Sequence, residues 1–170
     1  INCSYFTEDE FNHKQKTYSN SLSSFHLNIR KLGKHRDELI AFLSILDVQF
    51  DVIILTEVGK NSEKFIKSTF HSQGYLPFHD LPISNDYGGV AIFIKSELNP
   101  VEIDDFKIKK SCQCSNCNYE NVWVEFTKYG MKSVVGGVYR HPGGNISHFN
   151  DSIDKSLKMT SKYDFALWGR

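Results

Sequence analysis

Apolar and polar residues alternate with a period of two from Phe25 to Ile29, with Phe25, Leu27 and Ile29 on one side and His26 and Asn28 on the other. That period predicts a β-strand. Leu39, Phe42, Leu43 and Leu46 follow at the three- and four-residue spacing of a helical stripe. They predict a helix of about 12 residues with Asp37 and Glu38 in its first turn, where the dipole favours acids. Residues 52–55 are apolar without a break and run into Thr56 and Glu57, which predicts a strand covered on both faces. A helix is expected over 62–73, stopped by Gly74, and then a short strand over 75–78 ended by its proline. Further strands are expected at 90–94, opened by Gly88-Gly89, and at 122–126 and 133–139, paired through a turn around Gly130. Ile146, Phe149, Ile153 and Leu157 mark a helix after Pro142-Gly143-Gly144, and 165–168 begins a last strand. Residues 1–21 are polar and weakly patterned, and read as a lead-in that is poorly ordered or packs late.

Strands alternating with helices and no internal repeat make this an α/β chain. Its 170 residues are the length of one domain, and 40% hydrophobic content with 14% aromatics supplies a core. A strand that stops at Trp168-Gly169-Arg170 is a poor place to close a domain, so residues 22–170 are expected to be the first two-thirds of one. Twenty Lys+Arg balance twenty Asp+Glu. Neutrality excludes binding to nucleic acid through bulk charge but leaves open phosphate contact through a metal ion. No run approaches the roughly 18 apolar residues of a membrane span, and Glu8, Asp9 and Glu10 occupy the place of a signal peptide's apolar region. Cys3, Cys112, Cys114 and Cys117 form no disulfide framework, which points to a reducing, intracellular compartment.

Three polar residues stand at or just past the C-terminal ends of expected strands, where side chains can overhang a cleft: Asn28, Glu57 and Tyr139, the last followed by Arg140 and His141. Singly, each reads as readily as a surface or rim residue. In order and with their flanks they are more specific. Phe25-His26-Leu27-Asn28-Ile29-Arg30, Phe50-Asp51-Val52-Ile53-Ile54-Leu55-Thr56-Glu57, Gly88-Gly89-Val90-Ala91-Ile92-Phe93 and Gly137-Val138-Tyr139-Arg140-His141-Pro142 together resemble the endonuclease/exonuclease/phosphatase superfamily. More narrowly, they resemble the apurinic-type endonuclease domain at the start of non-LTR retrotransposon reverse-transcriptase polyproteins. Cys3-Ser4-Tyr5-Phe6 with Phe11 is similar to the segment preceding that domain.

The resemblance implies a deoxyribonuclease I-like layered sandwich, two mixed β-sheets face to face with helices outside. It implies a nuclear DNA endonuclease that nicks target DNA for element insertion as part of a larger polyprotein, with Mg²⁺ or Mn²⁺ as cofactor. Glu57 would be the metal ligand, Asn28 would orient Glu57 or contact phosphate, and Tyr139 would donate its hydroxyl to a phosphate oxygen. Arg30, Arg140 and His141 would be phosphate or DNA-backbone contacts. The alternatives are a phosphatase or phosphodiesterase of the same superfamily, and a degenerate remnant without catalysis.

The sequence also departs from the pattern. Where the family continues Gly-Asp-Phe-Asn, Leu167-Trp168-Gly169 is followed by Arg170, and the final Asp-His pair does not occur. The 170-residue chain alone is therefore expected to be inactive. Cys112-x-Cys114-x2-Cys117 has thiolate spacing but no evident fourth ligand, so a solvated loop is preferred over zinc. The seven histidines show no H-x-x-x-H spacing, and His26 reads as a cleft or surface residue. Lys31, Lys34, His35 and Arg36 form a basic cluster beside Asn28 that could meet a DNA backbone.

Overall fold

The computed structural model describes residues 5–15, 21–83, 86–106 and 119–169. Among the described residues, eight strands and four helices run in the order α1 (Glu8–Gln15), β1 (Ser24–Asn28), α2 (Leu32–Ile45), β2 (Val52–Thr56), α3 (Glu63–Thr69), β3 (Tyr75–Asp80), β4 (Val90–Lys95), β5 (Val101–Glu102), β6 (Tyr119–Lys128), β7 (Met131–Arg140), α4 (Ile146–Met159) and β8 (Phe165–Gly169). They build two four-stranded sheets, β1-β2-β4-β3 and β5-β6-β7-β8. Each sheet is mixed: β1 runs parallel to β2 and β7 parallel to β8, while the other neighbours are antiparallel.

The apolar patterns explain the layering. Val52 and Ile54 of β2 and Val90, Ile92 and Ile94 of β4 face the second sheet, where they meet Val122, Val124, Phe126 and Val135. The intervening residues Ile53, Leu55, Ala91 and Phe93 face the other way, onto Leu32, Leu39, Ile66 and Phe70 from the helical side. An unbroken apolar run is thus what a strand with two covered faces requires. Beyond the second sheet, Trp123, Val134 and Val138 pack against Phe149 and Ile153 of α4. The architecture is the expected α/β sandwich with helices outside. Gly137 lets the two sheets approach, since a Cβ on it would lie 2.5 Å from Val90 Cγ1, and Gly136 makes room for its cross-strand partner Trp123, whose Cζ3 would lie 2.3 Å from a Cβ there.

Several boundaries differ from the sequence expectation. Helix α2 begins at Leu32, which moves Asp37 and Glu38 out of its first turn. Its start is set by long-range bonds, Lys31 N to Glu57 O at 2.7 Å and Leu32 N to Val58 O at 3.0 Å. Pro77 lies inside β3 rather than ending it, which is permitted because β3 is an edge strand with a side that needs no donor. The 62–73 helix stops at Thr69 and continues as a 3-10 turn, His71–Gln73.

The 1–21 lead-in contains a helix, α1, opened by a reciprocal cap. Thr7 N donates to Glu10 Oε2 (2.8 Å) and Glu10 N donates to Thr7 Oγ1 (3.3 Å). Phe11 then packs 6.2 Å from Phe50, and Asn12 Nδ2 donates to Ile45 O at 2.9 Å. Cys3, Cys112, Cys114, Cys117 and Arg170 lie outside the described residues. Among the described residues no helix is long and apolar enough to cross a membrane.

Candidate active site at the strand ends

Because β1 and β2 are parallel and in register from Ser24↔Val52 to Asn28↔Thr56, their C-terminal ends finish side by side. Glu57 therefore emerges next to Asn28, and Asn28 Nδ2 donates to Glu57 Oε1 at 2.7 Å. From the second sheet, Tyr139 Oη donates to the same oxygen at 3.3 Å. Sequence spacing placed these three residues at strand ends, and the fold brings all three together.

The backbone beneath the carboxylate is strained. Glu57 has φ 57°, Arg30 φ 48° and Lys31 φ 79°, left-handed values that non-glycine residues seldom adopt. Such strain persists only where surrounding structure over-determines it. Here, Lys31 N bonds to Glu57 O, while Gly59 N donates to Gly88 O at 2.9 Å, pinning the 57–59 turn to its neighbours.

Both hydrogen bonds to Glu57 converge on Oε1, and Oε2 accepts none among the described residues. The fixed carboxylate thus offers one hard oxygen outward. Burial, and then the Glu57 charge, push the Tyr139 hydroxyl above its ordinary value of 10.0. The phenol accordingly stays protonated and can donate.

Other expected contacts are placed differently. Arg30 is exposed on the β1–α2 loop and lines a groove with Asn28. Arg140 Nη1 donates to His141 O and Gly144 O, each at 3.2 Å, so the guanidinium braces its own loop. His141 is buried, 7% exposed, and its Nε2 lies 3.0 Å from both carboxylate oxygens of Glu120. It is committed to Glu120 rather than open to a phosphate. Within the basic cluster, His35 bonds Glu38 at 2.7 Å and Arg36 donates to Thr69 Oγ1 at 3.2 Å. Lys31 and Lys34 instead line a cleft with Gly59, Lys60 and Asp86, and Lys31 Nζ lies 4.7 Å above the exposed ring of Tyr87.

Sequence reasoning missed Glu120. Strand β6 begins at Tyr119, three residues before the expected start, so Glu120 lies on the same face as Val122, Val124 and Phe126. A charged residue in step with a buried apolar face was the available signal.

No protein-family model matches the sequence, and no curated protein matches it either. The fold has clear counterparts. The crystal structure of D. rerio TDP2 humanized by 14 mutations superposes with a TM-score of 0.59 over 88% of this chain and 61% of that one, at 16% identity. The endonuclease domain of TRAS1, a telomere-specific non-LTR retrotransposon, gives 0.53 over 84% and 55%, at 12% identity. An AP endonuclease from Archaeoglobus fulgidus gives 0.51 over 86% and 54%, at 18% identity. This chain therefore spans 54 to 61% of the length of those structures. Its fold is that of the deoxyribonuclease I-like endonuclease/exonuclease/phosphatase proteins, as the four motifs implied.

Proposed function

We propose that this chain carries the metal-holding and phosphate-gripping part of a divalent-metal-assisted phosphodiesterase acting on DNA. The observation behind this reading is the convergence of Asn28 and Tyr139, from different sheets, on one oxygen of Glu57. Among the described residues no group of three or more His, Cys, Asp or Glu could hold a metal ion. The single carboxylate of Glu57, held through Oε1, fits Mg²⁺ or Mn²⁺ better than a soft metal, because a hard ion can bind through one or two carboxylates and keep its remaining positions for water and phosphate. When bound, the ion supplies Lewis-acid polarisation of a phosphoryl oxygen.

The chain's own residues do the rest. Glu57 would hold the ion through Oε2. Asn28 fixes the carboxylate plane by holding Oε1. Tyr139 carries a protonated hydroxyl within reach of the same point and donates it to a phosphate oxygen as negative charge develops there. Lys31, Lys34 and Lys60, on the cleft beside Glu57, offer cations to the flanking backbone, with Arg30 on the other side of Asn28.

Support for DNA as substrate comes from the folds this chain shares. One structure is D. rerio TDP2 complexed with single-strand DNA product (TM-score 0.56), and another is the TRAS1 endonuclease domain. With the motif order, this favours a nuclear role nicking target DNA for insertion of a retrotransposon, within a longer reverse-transcriptase polyprotein. The 170-residue chain should not turn over, since Arg170 stands where the motif has Asp.

Plasmid nicking with Mg²⁺ tests the reading. The chain lengthened through its downstream reading frame and carrying Arg170→Asp should nick, and adding Glu57→Ala should abolish nicking. A folded, lengthened Arg170→Asp protein that leaves the plasmid intact would refute it.

A further inference from the structure

We propose that the buried Glu120–His141 pair is a positioning device for Tyr139, holding its hydroxyl on Glu57. The proposal deepens the phosphodiesterase reading and rests on it for the chemistry, but the contact it invokes is structural and can be measured without turnover.

Glu120 and Tyr139 are direct cross-strand partners of β6 and β7, so their side chains share the face turned toward the first sheet. His141, two residues beyond Tyr139, sets its ring edge-on to the tyrosine, with centroids 5.1 Å apart and planes at 85°. Its Nε2 lies 3.0 Å from each oxygen of the Glu120 carboxylate, a spacing that suits an imidazole N–H donating to both. Glu120 Oε2 also accepts from Gly89 N at 3.1 Å. Gly88, whose φ is +101°, leaves room for the imidazole, since a Cβ there would lie 2.6 Å from His141 Cε1. Gly88 and Gly89 accept in turn from Gly59 N and Val58 N, the two residues after Glu57. The contacts close a circuit from Glu57 through the Gly88-Gly89 loop, Glu120, His141 and Tyr139 back to Glu57.

Burial makes a purely packing role a poor account. The two side chains are 5% and 8% exposed. An apolar pair of the same volume would fill that space without removing a carboxylate from water, and such replacements are often neutral or stabilising. A polar pair adds direction. The Tyr139–Glu57 bond, at 3.3 Å, is too long to fix the phenol by itself. The ring is oriented by the imidazole edge, and the imidazole by Glu120.

The test is NMR of the chain with 13Cζ-labelled tyrosine, the Tyr139 resonance being assigned with Tyr139→Phe. Glu57→Ala, which leaves the phenol no acceptor, serves as the reference for loss of the bond. His141→Ala should move the Tyr139 resonance in the same sense as Glu57→Ala while the Tyr75 and Tyr163 resonances stay in place. His141→Gln, which keeps an N–H donor toward Glu120, should restore most of it. The discriminating variant is the double Glu120→Met, His141→Leu, which refills the space with apolar atoms. It should stay folded, as its circular dichroism and cooperative melting report, and still displace the Tyr139 resonance. A Tyr139 signal unmoved in that folded double variant, but moved by Glu57→Ala, overturns the positioning role and leaves the phosphodiesterase site standing. A signal unmoved even by Glu57→Ala overturns both. In the lengthened, active chain the double variant should lose about 10- to 100-fold in kcat with KM within about twofold, as outer-sphere partners do. Loss of the same size in KM alone would count against it.

Discussion

Asp51 immediately precedes β2, at the end of the sandwich opposite Glu57, and its carboxylate is 4% exposed. Ser23 N and Oγ donate to Oδ2 at 2.8 and 2.9 Å, Lys128 Nζ donates to the same oxygen, and Lys95 Nζ lies 3.4 Å from Oδ1. One side chain thus joins the segments leading into β1 and β2 to the last residues of β4 and β6, across both sheets. Asp51→Asn keeps the shape but leaves two lysine amines, on side chains 13% and 19% exposed, beside a neutral amide. Removing one partner of a buried ion pair costs about 3–5 kcal/mol, and the residual access of both lysines to water argues for the lower end, about 3 kcal/mol. In urea, with m near 2 kcal/mol/M, the midpoint should fall by about 1.5 M. The melting temperature should fall by roughly 6–12 °C. The pH dependence fixes the sign independently. Burial alone would raise the Asp51 carboxyl, but the bonds from Lys128 and Ser23 outweigh it and hold it below its ordinary 3.8. A depressed folded value contributes stability above the unfolded value and loses it as pH falls through the folded one. The gap between wild type and Asp51→Asn should therefore be full at neutral pH and close as the solution is acidified below about pH 5. Denaturant curves at a series of pH values measure it. A neutral-pH difference under about 0.5 kcal/mol, or a gap that stays constant into acid, would refute the reasoning.

Two further perturbations follow from the packing. Gly136→Ala places a methyl 2.3 Å from Trp123 Cζ3 and should cost about 2 kcal/mol in denaturant unfolding followed by tryptophan fluorescence. Gly130→Ala meets no atom within 4 Å and should lose only about 1 kcal/mol from its positive φ. Burial, followed by Asp51 and Glu97, pushes Tyr75 up to about 12, and burial with the Glu125 bond pushes Tyr163 to about 12. Raised folded values give stability that is complete below the ordinary 10.0 and declines as pH climbs toward 12. Phenolate absorbance should show Tyr75 and Tyr163 ionising last, with Tyr139 also later than the ordinary value. All eight titrating together near the ordinary value while the fold persists would contradict this.

What could be read from the sequence was whatever a local period or a strand end carries. The unbroken 52–55 run announced a strand with two covered faces, and Asn28, Glu57 and Tyr139 were visible because each closes such a patterned run. What escaped was set by distant partners. The first turn of α2 is fixed by carbonyls of Glu57 and Val58, which no pattern around Leu32 reveals. Pro77 ended a strand on propensity grounds, but edge position in the sheet overrode that. Glu120 escaped because the apolar run of β6 starts two residues later, and its partner His141 is in sequence only a polar residue after a strand. Helix α1 was legible in principle, because Thr7-x-x-Glu10 is a capping-box spacing. Its polar composition hid it.

The two ends of the sandwich spend their polar groups differently, and that contrast supports the proposed site. Around Asp51 both carboxylate oxygens are taken by amines and a serine, in ordinary pairing that holds the sheets together. Around Glu57 three residues of the two adjoining loops, Arg30 and Lys31 after β1 and Glu57 after β2, are held at positive φ. Each such non-glycine conformation costs about 1–3 kcal/mol. Yet the carboxylate that this strain orients keeps one oxygen unclaimed among the described residues. Positive φ also occurs at Asp47, Asn99 and Tyr129, and Glu63 too is bonded through one oxygen; what sets Glu57 apart is that strain, an unclaimed oxygen and two donors from different sheets meet at one side chain. That coincidence supports the proposed cation and phosphate site, in which the Glu120–His141 brace would keep Tyr139 aimed at the same point.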